Sequence, residues 1–433
     1  MTLGLRCNVL AKLEFFNPGG SIKDRIGIAM IEAAEKQGLI EPGYVIVEPT
    51  SDNTGVGLAL AALVKGYKMI FTLPDKMSHE KIDLLRAFGA RVIITPTAVA
   101  PDDPANYVKV AERIVKKTPN SFMPNQYFNQ SNPQAHYQTT GPEIWEQTAG
   151  KIDVLVATMG TGGTISGTAR YLKEKNPNIK IVGVDPEGSM YHHEFYGTKG
   201  EILPYAVEGI GEDFMPSTLN LKIVDEIITV SDKEAFLTAR RLTQEEGIFA
   251  GGSAGAAVFA ALRVAKKLKE NQTLVVILPD TGRNYVHKIF SDEWMTEHGF
   301  LENNEKRISV RDILKAKSKR VKDLIFITPD AKLEDAIALM KKYGISQLPI
   351  ITDGVQIGSI REITIMKNLT DDTTRSRKIS DIMEPPLPSI KIGEKILSPL
   401  YLLKEKNGII VVEDNRLVDI ITTIDVVNYL IKR

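Results

Sequence analysis

Short apolar runs, each closed by a Gly, Pro or Asp turn, recur along residues 40–300 and alternate with stretches of helical period. VIVEP (45–49) leads through a turn into the amphipathic stretch from Val56 to Lys65. MIFTLP (69–74) precedes SHEKIDLLRAFGA, and RVIITP (91–96) follows it. VLVATM (154–159), KIVGVDP (180–186) and LVVILPD (274–280) repeat the pattern. Continuous β-branched runs between helices predict an α/β fold of open parallel sheets, with strands buried on both faces. Ligands bind such sheets beyond the carboxyl ends of the strands, so the turns after these runs are where chemistry is expected.

The pattern changes after a polar break, FLENNEKR (300–307). SVRDILKAKS (309–318) and KISDIMEPPLP (378–388) open two similar stretches. Each continues into a helical segment, DAIALMKKYG (335–344) or SPLYLLKEKNG (398–408), and then into two strands, QLPIIT with QIGSI or IIVVE with LVDIITT. A tandem repeat of roughly 60–70 residues indicates two like units packed as a pair. The expected division is a larger domain of two α/β subdomains at 1–300, a linker at 301–307, and the repeats at about 308–370 and 378–433.

Four turns carry candidate chemistry. In NPGGSIKDR (17–25) a Gly-Gly turn and Ser21, a good N-cap, place Lys23 in the first turn of a helix starting near Ile22. The positive helix end and Arg25 both favour a neutral, nucleophilic amine there. An exposed helix-start lysine is the alternative. EPTSDNTG (48–55) follows a strand and offers the hydroxyls of Thr50, Ser51 and Thr54 to a carboxylate or phosphate, or is a capped turn. GTGGT, from Gly160 through Thr161, Gly162 and Gly163 to Thr164, lies before a helix starting near Ile165 and has the makings of an anion cradle. It fits neither the dinucleotide nor the nucleoside-triphosphate pattern. GGSAG (251–255), after a strand IFA, presents one hydroxyl, Ser253, or is a close helix-packing turn. EGIG (208–211) and QYFNQSNP (126–133) are further polar turns.

Composition removes several function classes. Lys plus Arg equals Asp plus Glu at 54 each in 433 residues, so no overall basic field draws nucleic acid or an anionic membrane. One cysteine, Cys7, excludes an intrachain disulfide, and the adjacent His192 and His193 point apart, so no metal is expected. No apolar run approaches the ~20 residues that cross a bilayer, and no secretory signal opens the chain. The expected setting is the cytoplasm.

Taken in order, NPGGSIKDR, EPTSDNTG, PDKMSHEKIDLLRAFGA, GTGGTISG, VDPEG, EGIG, GGSAG and LPDTGRNY resemble the fold-type II pyridoxal-phosphate enzymes of the cysteine synthase/cystathionine β-synthase family. The resemblance covers nearly the whole chain, and the tandem repeat looks like the regulatory CBS-domain pair. It implies pyridoxal 5'-phosphate as cofactor and Lys23 as its Schiff-base lysine. Asn53 would meet the cofactor's phenolic oxygen, residues 160–164 its phosphate and Ser253 its pyridine nitrogen. A hydroxyl at that nitrogen weakens the electron sink and suits β-elimination over transamination. Thr50, Ser51, Thr54 and Gln126 would hold the substrate carboxylate, with Gly209 and Gly211 bordering the incoming thiol. The implied reaction replaces the β-substituent of serine, or an activated serine, with homocysteine through an aminoacrylate, giving cystathionine. A cysteine synthase using O-acetylserine and sulfide shares most of these motifs. Small amino-acid substrates and a homodimer or homotetramer are expected by the same resemblance.

Three departures qualify it. Asp52 stands where the family's loop has glycine. An ionised carboxylate ~4 Å from a substrate carboxylate would repel it by roughly 4 kcal/mol at an effective dielectric near 20, which leaves a catalytically impaired regulatory protein as a further reading. The chain begins close to the lysine motif, without the family's usual preceding strand, and lacks the haem-binding extension of some relatives, so no haem is expected. In the repeats, the nucleoside pattern is kept as Thr422 and Asp425 but reads Arg361 and Thr364 in the first copy. At most one adenosine-type site is therefore intact, and a repeat without ligand fits equally well.

Overall fold

A computed structural model of the chain describes residues 4–50, 53–75, 79–96, 99–100, 102–301, 308–317, 324–368, 377–396, 408–414 and 416–431. The chain divides into two units, Met1–Leu301 and Glu302–Arg433.

The strands of the first unit are β1 (Asn8–Leu13), β2 (Val45–Pro49), β3 (Lys68–Pro74), β4 (Arg91–Thr95), β5 (Ser121–Phe122), β6 (Val154–Thr158), β7 (Lys180–Pro186), β8 (Glu226–Val230) and β9 (Thr273–Leu278). Its helices are α1 (Lys23–Lys36), α2 (Asn53–Lys65), α3 (His79–Ala87), α4 (Tyr107–Lys117), α5 (Ser131–Gln138), α6 (Thr140–Gln147), α7 (Gly163–Lys175), α8 (Tyr191–Tyr196), α9 (Asp232–Glu246), α10 (Gly252–Ala265) and α11 (Asp292–Glu297). The strands form two wholly parallel sheets, ordered β1-β9-β6-β7-β8 and β4-β3-β2-β5. Alternation along the larger sheet feeds two cores. Val154, Val156, Val276 and Leu278 pack with α9 and α10, whereas Leu155, Ala157, Val275 and Ile277 pack with residues of α7. Strands with both faces covered need no polar positions, which is why β6 and β9 are buried throughout.

Two expectations change. IFA (248–250) is not a strand: Ala250 makes only an isolated antiparallel bridge to Thr281, and α10 begins at Gly252. The helix after GTGGT begins at Gly163, so that helix takes Gly163 and Thr164 into its first turn. Among the described residues no helix is long and apolar enough to cross a membrane.

A close helix contact fixes the lysine. A Cβ on Gly27 of α1 would lie 2.3 Å from the carbonyl carbon of Gly57 in α2, and one on Gly57 would lie 2.5 Å from the carbonyl oxygen of Lys23. Only glycine at both positions lets the two backbones meet, holding the first turn of α1 against the helix that Asn53 opens.

In the second unit, β10 (Ile308–Ser309) and α12 (Val310–Ala316) open the first repeat. It continues through α13 (Leu333–Tyr343), β11 (Gln347–Thr352), β12 (Val355–Arg361) and α14 (Glu362–Asn368). The second supplies β13 (Ser389–Lys391), β14 (Lys395–Ile396), β15 (Gly408–Glu413), β16 (Arg416–Thr422) and α15 (Thr423–Ile431). The hairpins β11–β12 and β15–β16 are antiparallel and carry a register shift at equivalent places, between Ile350 and Ile351 and between Val411 and Val412. The break at 302–307 and most of the helical segment 398–408 lie outside the described residues.

Candidate active site

Lys23 opens α1 just beyond the carboxyl end of β9. Its turn is tied there by hydrogen bonds from Ile22 N to Pro279 O (2.8 Å) and from Thr281 N to Gly20 O (3.1 Å). Ser21 accepts from Lys23 N through its Oγ at 3.2 Å, although the helix places Ile22 at the N-cap position. The amine Nζ lies 3.5 Å from Thr161 Oγ1. Lys23, Gly160, Thr161, Gly162, Thr164 and Gly209 share the lining of one cleft. Arg25 does not act as expected: its guanidinium is bonded to both Glu14 (2.6 and 3.0 Å) and Glu143 (2.6 and 2.7 Å), and Glu143 also binds Lys12. Its charge is thus matched by two carboxylates and adds no unpaired positive field at Lys23.

The glycine loop is pressed from two sides. A Cβ on Gly160 would lie 2.5 Å from Gly209 O, and one on Gly162, whose φ is +78°, would lie 2.3 Å from Leu219 Cβ. The first intrahelical bond of α7 runs from Ser166 N to Gly162 O, so the amides of Gly163, Thr164 and Ile165 precede the ladder. Behind them sits fully buried His136, with Nε2 3.3 Å from Thr164 Oγ1 and Nδ1 2.9 Å from Thr140 Oγ1. Burial, then the charges of Lys23 and Arg25, push His136 down to about 3, so it is neutral and can orient the Thr164 hydroxyl.

A hydrogen-bonded path joins the cradle to the hydroxyl turn. Asn132 Nδ2 donates to Thr161 Oγ1 (3.0 Å) and to Gln126 O (2.9 Å), and Thr54 Oγ1 donates to Gln126 Oε1 (2.6 Å). Buried Glu48 holds that segment by accepting from Asn125 N (2.7 Å) and Gln126 N (3.0 Å). Thr50 is buried nearby, where a Cβ on Gly55 would meet its Cγ2 at 2.9 Å. Ser51 and Asp52 lie outside the described residues.

Asn53 and Ser253 converge on a residue the sequence reading did not single out. Asp280, itself buried, accepts from Asn53 Nδ2 (2.9 Å) and Tyr285 OH (2.7 Å), and Ser253 Oγ lies 3.5 Å from its other oxygen. Gly209 and Gly211 also lie at the cradle, Gly211 N donating to Met159 O at 2.7 Å. Of the described candidate residues of the first unit, all fall around the carboxyl ends of its two sheets. In the second unit, Thr422 donates to Asp425 Oδ2 from its N (2.8 Å) and Oγ1 (2.7 Å), whereas Arg361 and Thr364 both donate to Glu384.

The sequence model for pyridoxal-phosphate-dependent enzymes matches residues 2–280, and that for CBS domains matches 310–371 and 379–432. The chain belongs to the pyridoxal-phosphate-dependent enzyme family. It is 42% identical to a cystathionine beta-synthase of Dictyostelium discoideum, over 99% of this chain and 88% of the other. It is 44% identical to that of Mus musculus (92% and 70%) and 36% identical to that of Saccharomyces cerevisiae (99% and 94%). A solved hydrogen sulfide-producing enzyme from Fusobacterium nucleatum superposes with a TM-score of 0.61 at 41% identity, covering 65% of this chain and 92% of that one. The cofactor is pyridoxal 5'-phosphate, and this cleft fits it. The first-turn amides of α7 and two hydroxyls suit a phosphate, no room remains for loop side chains, and an amine stands across from them to meet an aldehyde.

Proposed function

We propose that the chain replaces the β-hydroxyl of L-serine, or the leaving group of an activated serine, with the thiol of L-homocysteine, giving cystathionine. The observation that carries this reading is the shared cleft of Lys23 and the glycine cradle, joined through Asn132 to the Thr54–Gln126 pair. The full-length likeness to cystathionine beta-synthases supports the choice of reaction.

Bound pyridoxal phosphate supplies an aldehyde that reacts with amines and a ring that accepts electrons from the α-carbon. The α7 amides with Thr161 and Thr164 would hold its phosphate, and Asn53 and Ser253 its ring. Thr50, Ser51, Thr54 and Gln126 bind the serine carboxylate. Lys23 Nζ takes the α-proton. Serine's β C–O bond then breaks, with Lys23 passing that proton to the departing hydroxide as water. A C–S bond forms at the same carbon as the thiol gives its proton to Lys23, and Lys23 delivers it to the α-carbon. Serine and homocysteine thus give cystathionine and water.

The larger domain at 1–300 is the catalytic domain in this reading, and 308–433 the CBS pair. Thr422 and Asp425 form the adenosine-type site, supported by a strand-to-helix turn with both side chains in place. In the first copy Glu384 takes up both Arg361 and Thr364. A homo-oligomer in a reducing cytoplasm completes the reading, consistent with a single cysteine, Cys7, that is buried.

Product analysis tests it. Cystathionine from serine and homocysteine is the expected result. Cysteine from O-acetylserine and sulfide, with no cystathionine from serine, would overturn it.

A further inference from the structure

Glu212 follows the EGIG turn, whose Gly209 lines the cleft. Its neighbour Glu208 is matched by Lys81 and Lys288. Among the described residues, the Glu212 side chain has one hydrogen-bond partner, Tyr127 OH at 2.7 Å, and no ion-pair partner. Its backbone is pinned by Ser189 Oγ, which lies 3.1 Å from its N and 3.2 Å from its O, and by Met190 N at 3.0 Å from its O. It follows Gly211, which is bonded to Met159, and it sits three residues from Gly209 on the cleft wall. Tyr127 in turn adjoins Gln126, the partner of Thr54. Burial pushes the carboxyl up to about 7, while Tyr127 and the charge of Lys23 pull it down and Asp213 pushes it up.

A partly buried carboxylate without a cation is unfavourable in the free protein and becomes favourable when a ligand brings the cation. The two substrates of the proposed reaction carry two ammonium groups. In the proposed reaction the cofactor's aldehyde would engage serine's nitrogen and the Thr54–Gln126 side its carboxylate, so the ammonium still needing a partner would belong to the second substrate. Resting on the reaction proposed above, we propose that Glu212 is the anchor for the α-ammonium of the incoming thiol amino acid, and so selects amino thiols over simple thiols.

Initial rates with L-serine, and with either L-homocysteine or 4-mercaptobutyrate (the same thiol and carboxylate without the amine), test this in the cofactor-loaded full chain. Glu212→Gln should raise KM for homocysteine by about tenfold or more, and leave KM for serine and for 4-mercaptobutyrate within about twofold. Glu212→Asp, which keeps the charge, should retain most of the preference and serves if the Gln variant folds poorly. An unchanged homocysteine KM in the Gln variant would overturn the proposal. So would an equal fall in kcat with both thiols, which would make Glu212 the base that takes the thiol proton. Wild-type protein that joins neither thiol to serine would remove the proposed reaction itself. Wild-type turnover with an indifferent Gln variant would remove only the anchor.

Discussion

Gly162→Ala isolates the cradle from the rest of the site. The residue has a φ of +78°, and an added Cβ would stand 2.3 Å from Leu219 Cβ and 2.7 Å from Leu219 Cα. The left-handed backbone costs an L-residue about 1–2 kcal/mol, and forcing a methyl into packed surroundings about 1–3 kcal/mol more. Leu219 cannot yield freely, because it is buried and its neighbour Thr218 Oγ1 donates to Thr161 O at 2.5 Å. The loop therefore escapes into another conformation, and holding it in the binding one costs about 2–5 kcal/mol. At tenfold per 1.4 kcal/mol, the dissociation constant of pyridoxal phosphate should rise by about 30-fold or more. Titration of apoprotein with the cofactor, followed by visible absorbance, measures it. Gly197→Ala is the control: φ there is +62°, but nothing lies within 4 Å of the added Cβ. It carries the backbone cost alone and should leave cofactor affinity unchanged. Wild-type affinity in Gly162→Ala, or equal weakening in both variants, would refute the reasoning.

Arg25→Gln leaves Glu14, whose side chain is 1% exposed, with a charge its main partner no longer matches. Stability should fall by about 3 kcal/mol, seen as a melting temperature lower by roughly 5 °C or more. Burial pushes Glu48 from its ordinary value of 4.5 up to about 7, against the pull of Gln126 N and Asn125 N. Its folded form binds the proton more tightly than the unfolded chain, so the stability it contributes is full below about 4.5 and is lost as pH rises through about 7. Glu48→Gln does not titrate, and denaturant unfolding across that window should show a flatter pH dependence than wild type. In the second unit, calorimetry with AMP should find at most one site per chain, and Asp425→Ala should abolish it.

Much of the catalytic fold could be read from the sequence because buried parallel strands write themselves as uninterrupted apolar runs. VIVEP and KIVGVDP are β2 and β7 to the residue. The edge strand β1 did not stand out: NVLAKL is mostly exposed, and its pairing partner β9 lies more than 250 positions away. IFA looked like a strand by composition, but Ala250 finds only Thr281 to bridge. The Gly160–Thr164 turn stood out because its glycines lie directly between a strand and a helix, whereas Lys23 stood out only through the ordered set of motifs, since its own turn reads as readily as an exposed helix start. Asp280, His136 and Glu212 did not stand out. Each matters through partners 4 to 227 positions away (Thr140 beside His136, Asn53 beside Asp280), and a lone acid or histidine in a sequence does not say what it will face. The reading of Arg25 failed the same way, since Glu143, 118 positions on, matches its charge.

The most direct test of the account is borohydride reduction of the cofactor-loaded protein followed by peptide mass mapping. The reduction locks the cofactor onto the lysine that holds it. The account predicts the phosphopyridoxyl mass on the peptide containing Lys23 and its loss in Lys23→Ala. The label on any other lysine, or none on a protein that still turns over, would contradict it.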